Sequence, residues 1–95
     1  MREYEVMVIF DPDAESSAVD AVVARVTDLL TGSGGEVQGT DAWGKRRLAY
    51  EIDHKTEGVY TLISFKSEPG ILTELERVLS LTDEVIRHKV VRKAA

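Results

Sequence analysis

The chain has 95 residues, 43% apolar and 31% charged, which predicts one small domain around a single hydrophobic core and excludes collagen-like, fibrous and wholly disordered classes. The net charge of -5 argues against a free-standing nucleic-acid-binding domain, and the absence of cysteine rules out a disulfide framework, a thiolate metal site and a thiol nucleophile. No cationic segment leads into a long apolar run and no window approaches a membrane span, so a cytoplasmic protein is expected.

Tyr4 to Phe10 is rich in β-branched and aromatic residues and stops at Asp11-Pro12-Asp13, which predicts a strand followed by a turn. Ser17 and Asp20 have the spacing of a capping box. Val19, Val22, Val23, Val26, Leu29 and Leu30 then fall at helical intervals, up to the Gly32-Ser33-Gly34-Gly35 stop. Glu36 to Ile52 reads as one long strand with Gly44 inside it, and an interior glycine marks a bulge. Across that bulge Leu48, Tyr50 and Ile52 form one face, and Lys45, Arg47 and Glu51 the other.

Asp53 to Gly58 reads as a polar turn, and Val59 to Phe65, apolar on both faces, as a central strand. Ser67 or Glu68 is expected to cap a second helix, with Pro69 in its first turn and Leu72, Leu75, Val78 and Leu79 as its buried stripe. Val85 to Arg92 closes the set as a strand, with Ile86, His88 and Val90 on one face and Val85, Arg87, Lys89 and Val91 on the other. The order β-α-β-β-α-β predicts an α+β, ferredoxin-like split β-α-β fold over residues 1–95: a four-stranded antiparallel sheet with two helices on one face. The opposite face is then open to a partner. One of the sets Met7 and Ile9 or Val6, Val8 and Phe10 must lie on it as an apolar patch.

The acidic total hides an asymmetry, because residues 1–41 sum to -7 and residues 42–95 to +2. At physiological salt, contacts sense charge over only about 8 Å, so local sign matters more than the total. Two basic clusters stand out: Lys45-Arg46-Arg47 with Arg2, and Arg87, Lys89, Arg92 and Lys93. They suit contacts to phosphate and sugar that read no sequence; the competing reading is solvated edge charge that deters strand pairing. Trp43 has a similar pair of readings, core residue or interface anchor.

Catalysis finds little support. His54 and His88 have no spacing that pairs them with a nucleophile or a second ligand, and Asp11-Pro12-Asp13-Ala14-Glu15 lacks the glycine and late glutamate of a calcium loop. The glycine-rich run follows a helix instead of opening one, so it builds no phosphate loop. An acyl-phosphate hydrolase on this fold needs an arginine after the first strand and an asparagine, and the chain has no asparagine. The aromatic signature that RNA-binding sheets of this topology carry on their third strand is also missing from Glu57 to Ser64.

Gly44-Lys45-Arg46-Arg47-Leu48-Ala49-Tyr50-Glu51-Ile52, with Met1-Arg2-Glu3-Tyr4-Glu5 and Asp83-Glu84-Val85-Ile86-Arg87, resembles the family of the sixth protein of the bacterial small ribosomal subunit. The likeness runs over essentially the whole chain in element order and length, with Asp53 as a departure from the family's usual basic or small polar residue. The resemblance implies a ribosome-bound structural constituent with no enzymatic activity, no cofactor, no metal and no small-molecule substrate. It implies pairing with the eighteenth protein of that subunit and joint docking on the central domain of the small-subunit ribosomal RNA. A basic partner of that kind accounts for an acidic total. By position it implies RNA contacts at Arg2, Lys45, Arg46, Arg47, Arg87, Lys89 and Arg92, and a protein-partner surface at Trp43, Tyr50, Met7, Ile9 and Tyr60. The alternative is a small-molecule sensing or oligomerisation domain on the same fold, which predicts a homodimer in the absence of RNA.

Overall fold

The six segments become β1 (Arg2–Phe10), α1 (Ser16–Gly32), β2 (Glu36–Ile52), β3 (Lys55–Ser67), α2 (Ile71–Ser80) and β4 (Val85–Arg92) in a computed structural model. It describes residues 1–52 and 54–93; Asp53, where the expected polar turn begins, lies outside them. All ladders are antiparallel, in the order β2-β3-β1-β4, so β3 is central as its two-sided apolar pattern requires.

Tyr4, Val6, Val8 and Phe10 of β1 stand in register with Phe65, Ile63, Thr61 and Val59 of β3. Both helices pack on this face, with Val22, Val26 and Leu30 of α1 and Leu75 and Leu79 of α2 in the same cluster. In α1 a valine costs about 0.5 kcal/mol in helix propensity, but full burial of its side chain returns roughly 1.5–3 kcal/mol, so packing overrides the strand preference. The chain leaves α1 through Gly34, at φ 85°, and Gly35, whose amide donates to Leu30 O at 2.8 Å. A Cβ on Gly35 would stand 2.7 Å from Lys66 O and 2.8 Å from Leu30 O, a close approach only glycine permits.

Both helix starts differ from the sequence reading. The N-cap of α1 is Glu15 and that of α2 is Gly70, and neither makes a side-chain capping bond. Ser17 already lies inside α1, because the bend before it is closed by Asp11, which accepts from the amides of Asp13 (2.8 Å) and Ala14 (3.0 Å). Ser67 remains in β3, with its hydroxyl donating to Glu68 O at 3.2 Å. A turn then precedes α2, where the amides of Ile71 and Leu72 donate to Glu68 O and Pro69 O.

β3 begins at Lys55, so residues 55–58, expected in a turn, are strand that pairs with the far part of β2. Bulges interrupt that ladder between Val37 and Gly39 and between Ala42 and Gly44, where Gly44 takes φ 80° as its position predicts. The same ladder shifts again between Arg47 and Ile52, and an irregularity between Ile9 and Phe10 on the β1–β4 ladder brings Val85 opposite Phe10 and against the core. Val85 therefore does not share the face of Arg87, as simple alternation has it.

The second face is not bare. Met7 and Ile9 lie on it in register with Leu62 and Tyr60. Ile9 is only 9% exposed and Leu48 8%. The far end of the β2–β3 hairpin bends back over the sheet. A Cβ on Gly58 would collide with Ile9 Cγ2 at 2.4 Å and touch Leu48 Cδ2 at 3.5 Å, so the hairpin lies directly against Ile9. Tyr50 of β2 meets Arg87 of β4, which sit on opposite edges. Edges three strand spacings apart, about 14 Å, meet only if the hairpin crosses the face between them.

Candidate functional site

Under the bent hairpin lies an apolar groove of about 260 Å³, with Met7, Ile9 and Tyr60 on the sheet side, Leu48, Ala49, Tyr50 and Ile52 on the hairpin side, and Arg87, His88 and Lys89 at the β4 border. Ile9, expected on the partner surface, is instead covered by this chain's own Leu48, so Met7, Tyr50 and Tyr60 carry the accessible apolar character. Tyr50 remains 59% exposed although the Arg87 guanidinium carbon stands 5.6 Å from its ring centre. A cation over an aromatic face at this distance contributes about 0.5–1 kcal/mol at an exposed site.

Beside the groove, the bulge sets Trp43 and Gly44 together against Tyr60 of β3. The Trp43 and Tyr60 rings are 6.4 Å apart at an interplanar angle of 5°, and the Arg46 guanidinium carbon lies 5.3 Å from the Trp43 ring centre. The Trp43 Nε1–H donates to Asp41 Oδ2 at 3.1 Å. Trp43 nonetheless keeps 40% of its surface open, which decides its two readings against the core.

The basic residues form three groups. Arg46, in register with Gly58, shares the groove face with Arg87 and Lys89, whose partners are Ile9 and Met7. Lys45 and Arg47 pair with Val59 and Glu57 and point to the other side of the hairpin. Arg2 pairs with Ser67, ten β3 residues from Glu57, so roughly 33 Å of strand separates it from the Lys45–Arg47 run with which its charge suggests grouping it. Arg2 joins Arg92, Lys93, Lys66 and the Met1 amino group around an open depression of about 900 Å³ that also holds Glu3 and Glu36. Lys66 does not stand out in the sequence because it is an isolated base on β3; only its register with Glu3, and an ion pair at 3.7 Å, bring it to the N-terminus.

None of Arg2, Lys45, Arg46, Arg47, Arg87, Lys89 and Arg92 forms an ion pair with a carboxylate among the described residues. Their charge is open to another molecule. Lys55 behaves differently: its ammonium lies 3.3 Å from Asp13 Oδ2 and 3.6 Å from Asp11 Oδ2. The hydrogen bond to Asp13 and then the charge of Asp11 push its pKa above the ordinary lysine value. These contacts tie the turn end of the hairpin to the loop after β1.

A serine and a histidine also meet, which the sequence spacing does not suggest. Ser80 Oγ and His88 Nε2 are 3.2 Å apart, but His88 Nδ1 is buried with no partner among the described residues, so no third group orients the ring as a hydrolytic triad requires. Among the described residues no cluster of three or more metal-ligating side chains occurs, and no helix is long and apolar enough to cross a membrane.

The family model described as Ribosomal protein S6 matches residues 3–92. The small ribosomal subunit protein bS6 of Symbiobacterium thermophilum is 48% identical over 94 residues, covering 99% of each chain. That of Streptomyces coelicolor is 45% identical over 92 residues, covering 97% of this chain and 96% of its own. The crystal structure of 30S ribosomal protein S6 from Thermotoga maritima superposes with a TM-score of 0.90 at 33% identity, over 97% of this chain and 87% of that one. The C-terminal domain of the MgtC protein from Mycobacterium tuberculosis shares the fold alone, with a TM-score of 0.66 at 18% identity.

Proposed function

The chain belongs to the ribosomal protein S6 family, and from that premise we propose that this structural component of the small ribosomal subunit docks on the central domain of the small-subunit ribosomal RNA together with the eighteenth protein of that subunit. The observation that carries the reading is the family match over residues 3–92, which includes the bulged β2–β3 hairpin with its Gly44 to Ile52 stretch. A role of this kind involves no chemical step, and on a bacterial ribosome it places the chain in the cytoplasm.

The groove face supports the protein contact. Met7, Tyr50 and Tyr60 offer apolar surface, and Trp43 is an exposed ring beside them, the residue type that most often anchors an interface. Cations that form no ion pair with a carboxylate among the described residues support the RNA contact at Arg2, Lys45, Arg46, Arg47, Arg87, Lys89 and Arg92. The acidic remainder of the chain suits a basic protein neighbour.

The test is recruitment to central-domain RNA carrying the eighteenth protein, measured at several salt concentrations. Arg46→Ala with Arg87→Ala should weaken recruitment and lower the salt slope by about one for each phosphate that is no longer neutralised. Unchanged affinity and slope would remove both residues from the RNA surface. Sizing the purified chain separates the alternative: a monomer that gains a one-to-one complex with the eighteenth protein fits the proposal, and a stable homodimer alone fits a sensing or oligomerising domain.

A further inference from the structure

Asp41 lies two residues before Trp43 on the same strand face, in register with Leu62 of β3. Ala42, between them, pairs with Thr61, while Trp43 is the extra residue of the bulge. An indole at such a position has no fixed cross-strand neighbour to select its rotamer, and 40% exposure gives it room to swing. Three restraints converge on it instead: the Tyr60 ring, stacked almost parallel at 5°, the Arg46 guanidinium at 5.3 Å, and the Asp41 carboxylate, which accepts from Nε1–H at 3.1 Å. Stacking and the cation fix the plane of the ring but leave it free to slide and flip within that plane. Only the hydrogen bond acts on one edge, and an ionised acceptor makes it about twice as strong as a neutral one.

We infer that Asp41 is a positioning residue for the protein-docking surface: it fixes the rotamer of Trp43, and through that ring the guanidinium of Arg46, before the partner arrives. The inference rests on the protein contact proposed above and adds to it how the anchor is held. Ordering a long side chain at the moment of binding costs affinity, so a ring already fixed in the free chain binds more tightly than a mobile one. Asp41 touches the partner only through Trp43. An acidic residue here is thus explained without assigning its charge to attraction of a basic neighbour.

Trp43 is the chain's single tryptophan, so its indole proton resonance and its fluorescence report on this site alone. Asp41→Ala removes the acceptor and the charge together, while Asp41→Asn removes the charge and keeps an acceptor oxygen. In the free chain, Asp41→Ala should shift the indole proton upfield, speed its exchange with water and lower the fluorescence anisotropy, and Asp41→Asn, with a weaker acceptor, should fall between Asp41→Ala and the native values. Affinity for the purified eighteenth protein, measured by calorimetry, should fall about three- to tenfold in Asp41→Ala and by less than twofold in Asp41→Asn.

Equal losses in the two variants would show that Asp41 acts by charge and overturn the inference. An indole signal unmoved by Asp41→Ala overturns it as well, because the carboxylate then holds nothing. If the native chain forms no complex with the eighteenth protein, the proposed function fails, and the docking role assigned to Asp41 fails with it. The indole signals in the free chain still decide by themselves whether the ring is anchored.

Discussion

On one side of the sheet Tyr4, Val6, Val8, Phe10, Ile63 and Phe65 are sealed by two helices, whereas on the other a bent hairpin of the same chain covers Ile9 and leaves Met7 and Tyr60 lining the groove beneath it. The first side closes completely: Phe10, Phe65, Leu75 and Leu79 have no exposed surface. The second closes halfway, burying Ile9 and Leu48 but leaving a groove and two exposed rings, Trp43 and Tyr50. A helix brings a continuous apolar stripe to a sheet, and a hairpin one residue wide at its edge cannot. The helix-covered side supplies stability, and the hairpin-covered side is a surface shaped to be completed by something else.

Truncating one leucine on each side puts that contrast at risk. Leu75→Ala should cost about 3–5 kcal/mol, because a residue enclosed on all sides leaves a cavity. Leu48→Ala should cost only about 1.5 kcal/mol, since its site opens onto solvent and can refill with water. Chemical denaturation midpoints give both values. Equal losses would mean that the hairpin closes a second core, and the division of labour between the faces would be lost.

A pair of glycines sharpens the same contrast at smaller effect. Gly35→Ala drives a methyl into two backbone carbonyls where α1 meets β3, and overpacking of this kind costs about 1–3 kcal/mol. Gly58→Ala instead brings its methyl within 2.4 Å of Ile9 Cγ2, a stiff branched side chain on β1, so the hairpin must lift to make room. The substitution should also cost about 1–3 kcal/mol in stability, and in addition weaken protein-partner binding, because the groove it deforms is the docking surface. Gly35→Ala should bind normally under conditions where it remains folded. Calorimetric titration of both variants makes the comparison, and identical binding losses would detach the groove from docking.

Much of this is legible in the sequence, for local reasons. The bounds of β2 and β4, the bulge at Gly44 and the pairing of Met7 with Ile9 on one face follow from alternation and from glycine's access to positive φ, while alternation alone leaves open which face that is. The hairpin fold-over is not legible, because it is set by where bulged β2 meets β3, a register between residues far apart in sequence. For the same reason charge alone groups Arg2 with Lys45–Arg47, although the sheet holds them at opposite ends. Lys55 to Gly58 is polar enough to read as a turn, and only pairing with β2 makes it strand. The Asp41–Trp43 contact does leave a signal, since residues two apart on a strand share a face.

The smallest effect concerns Lys55, which secures the turn end of the hairpin to Asp11 and Asp13. Its folded-state pKa is raised, chiefly by the hydrogen bond to Asp13 and then by the charge of Asp11. The folded chain thus holds this proton more tightly than the unfolded chain does. The stabilisation is fully present below the unfolded lysine value and disappears as pH rises through the higher folded value, so neutral and mildly acidic solutions leave the lysine's own contribution unchanged. With about a third of the Lys55 side chain exposed, solvent screens the pair and the effect stays small. The useful quantity is the difference in thermal midpoint between the native chain and Lys55→Met, because it cancels what the rest of the chain contributes. That difference should be constant through neutral pH and shrink on the alkaline side, and raised salt should reduce it throughout. A difference that persisted unchanged at high pH would mean that Lys55 supports the hairpin through its aliphatic stem, with the two aspartates as bystanders.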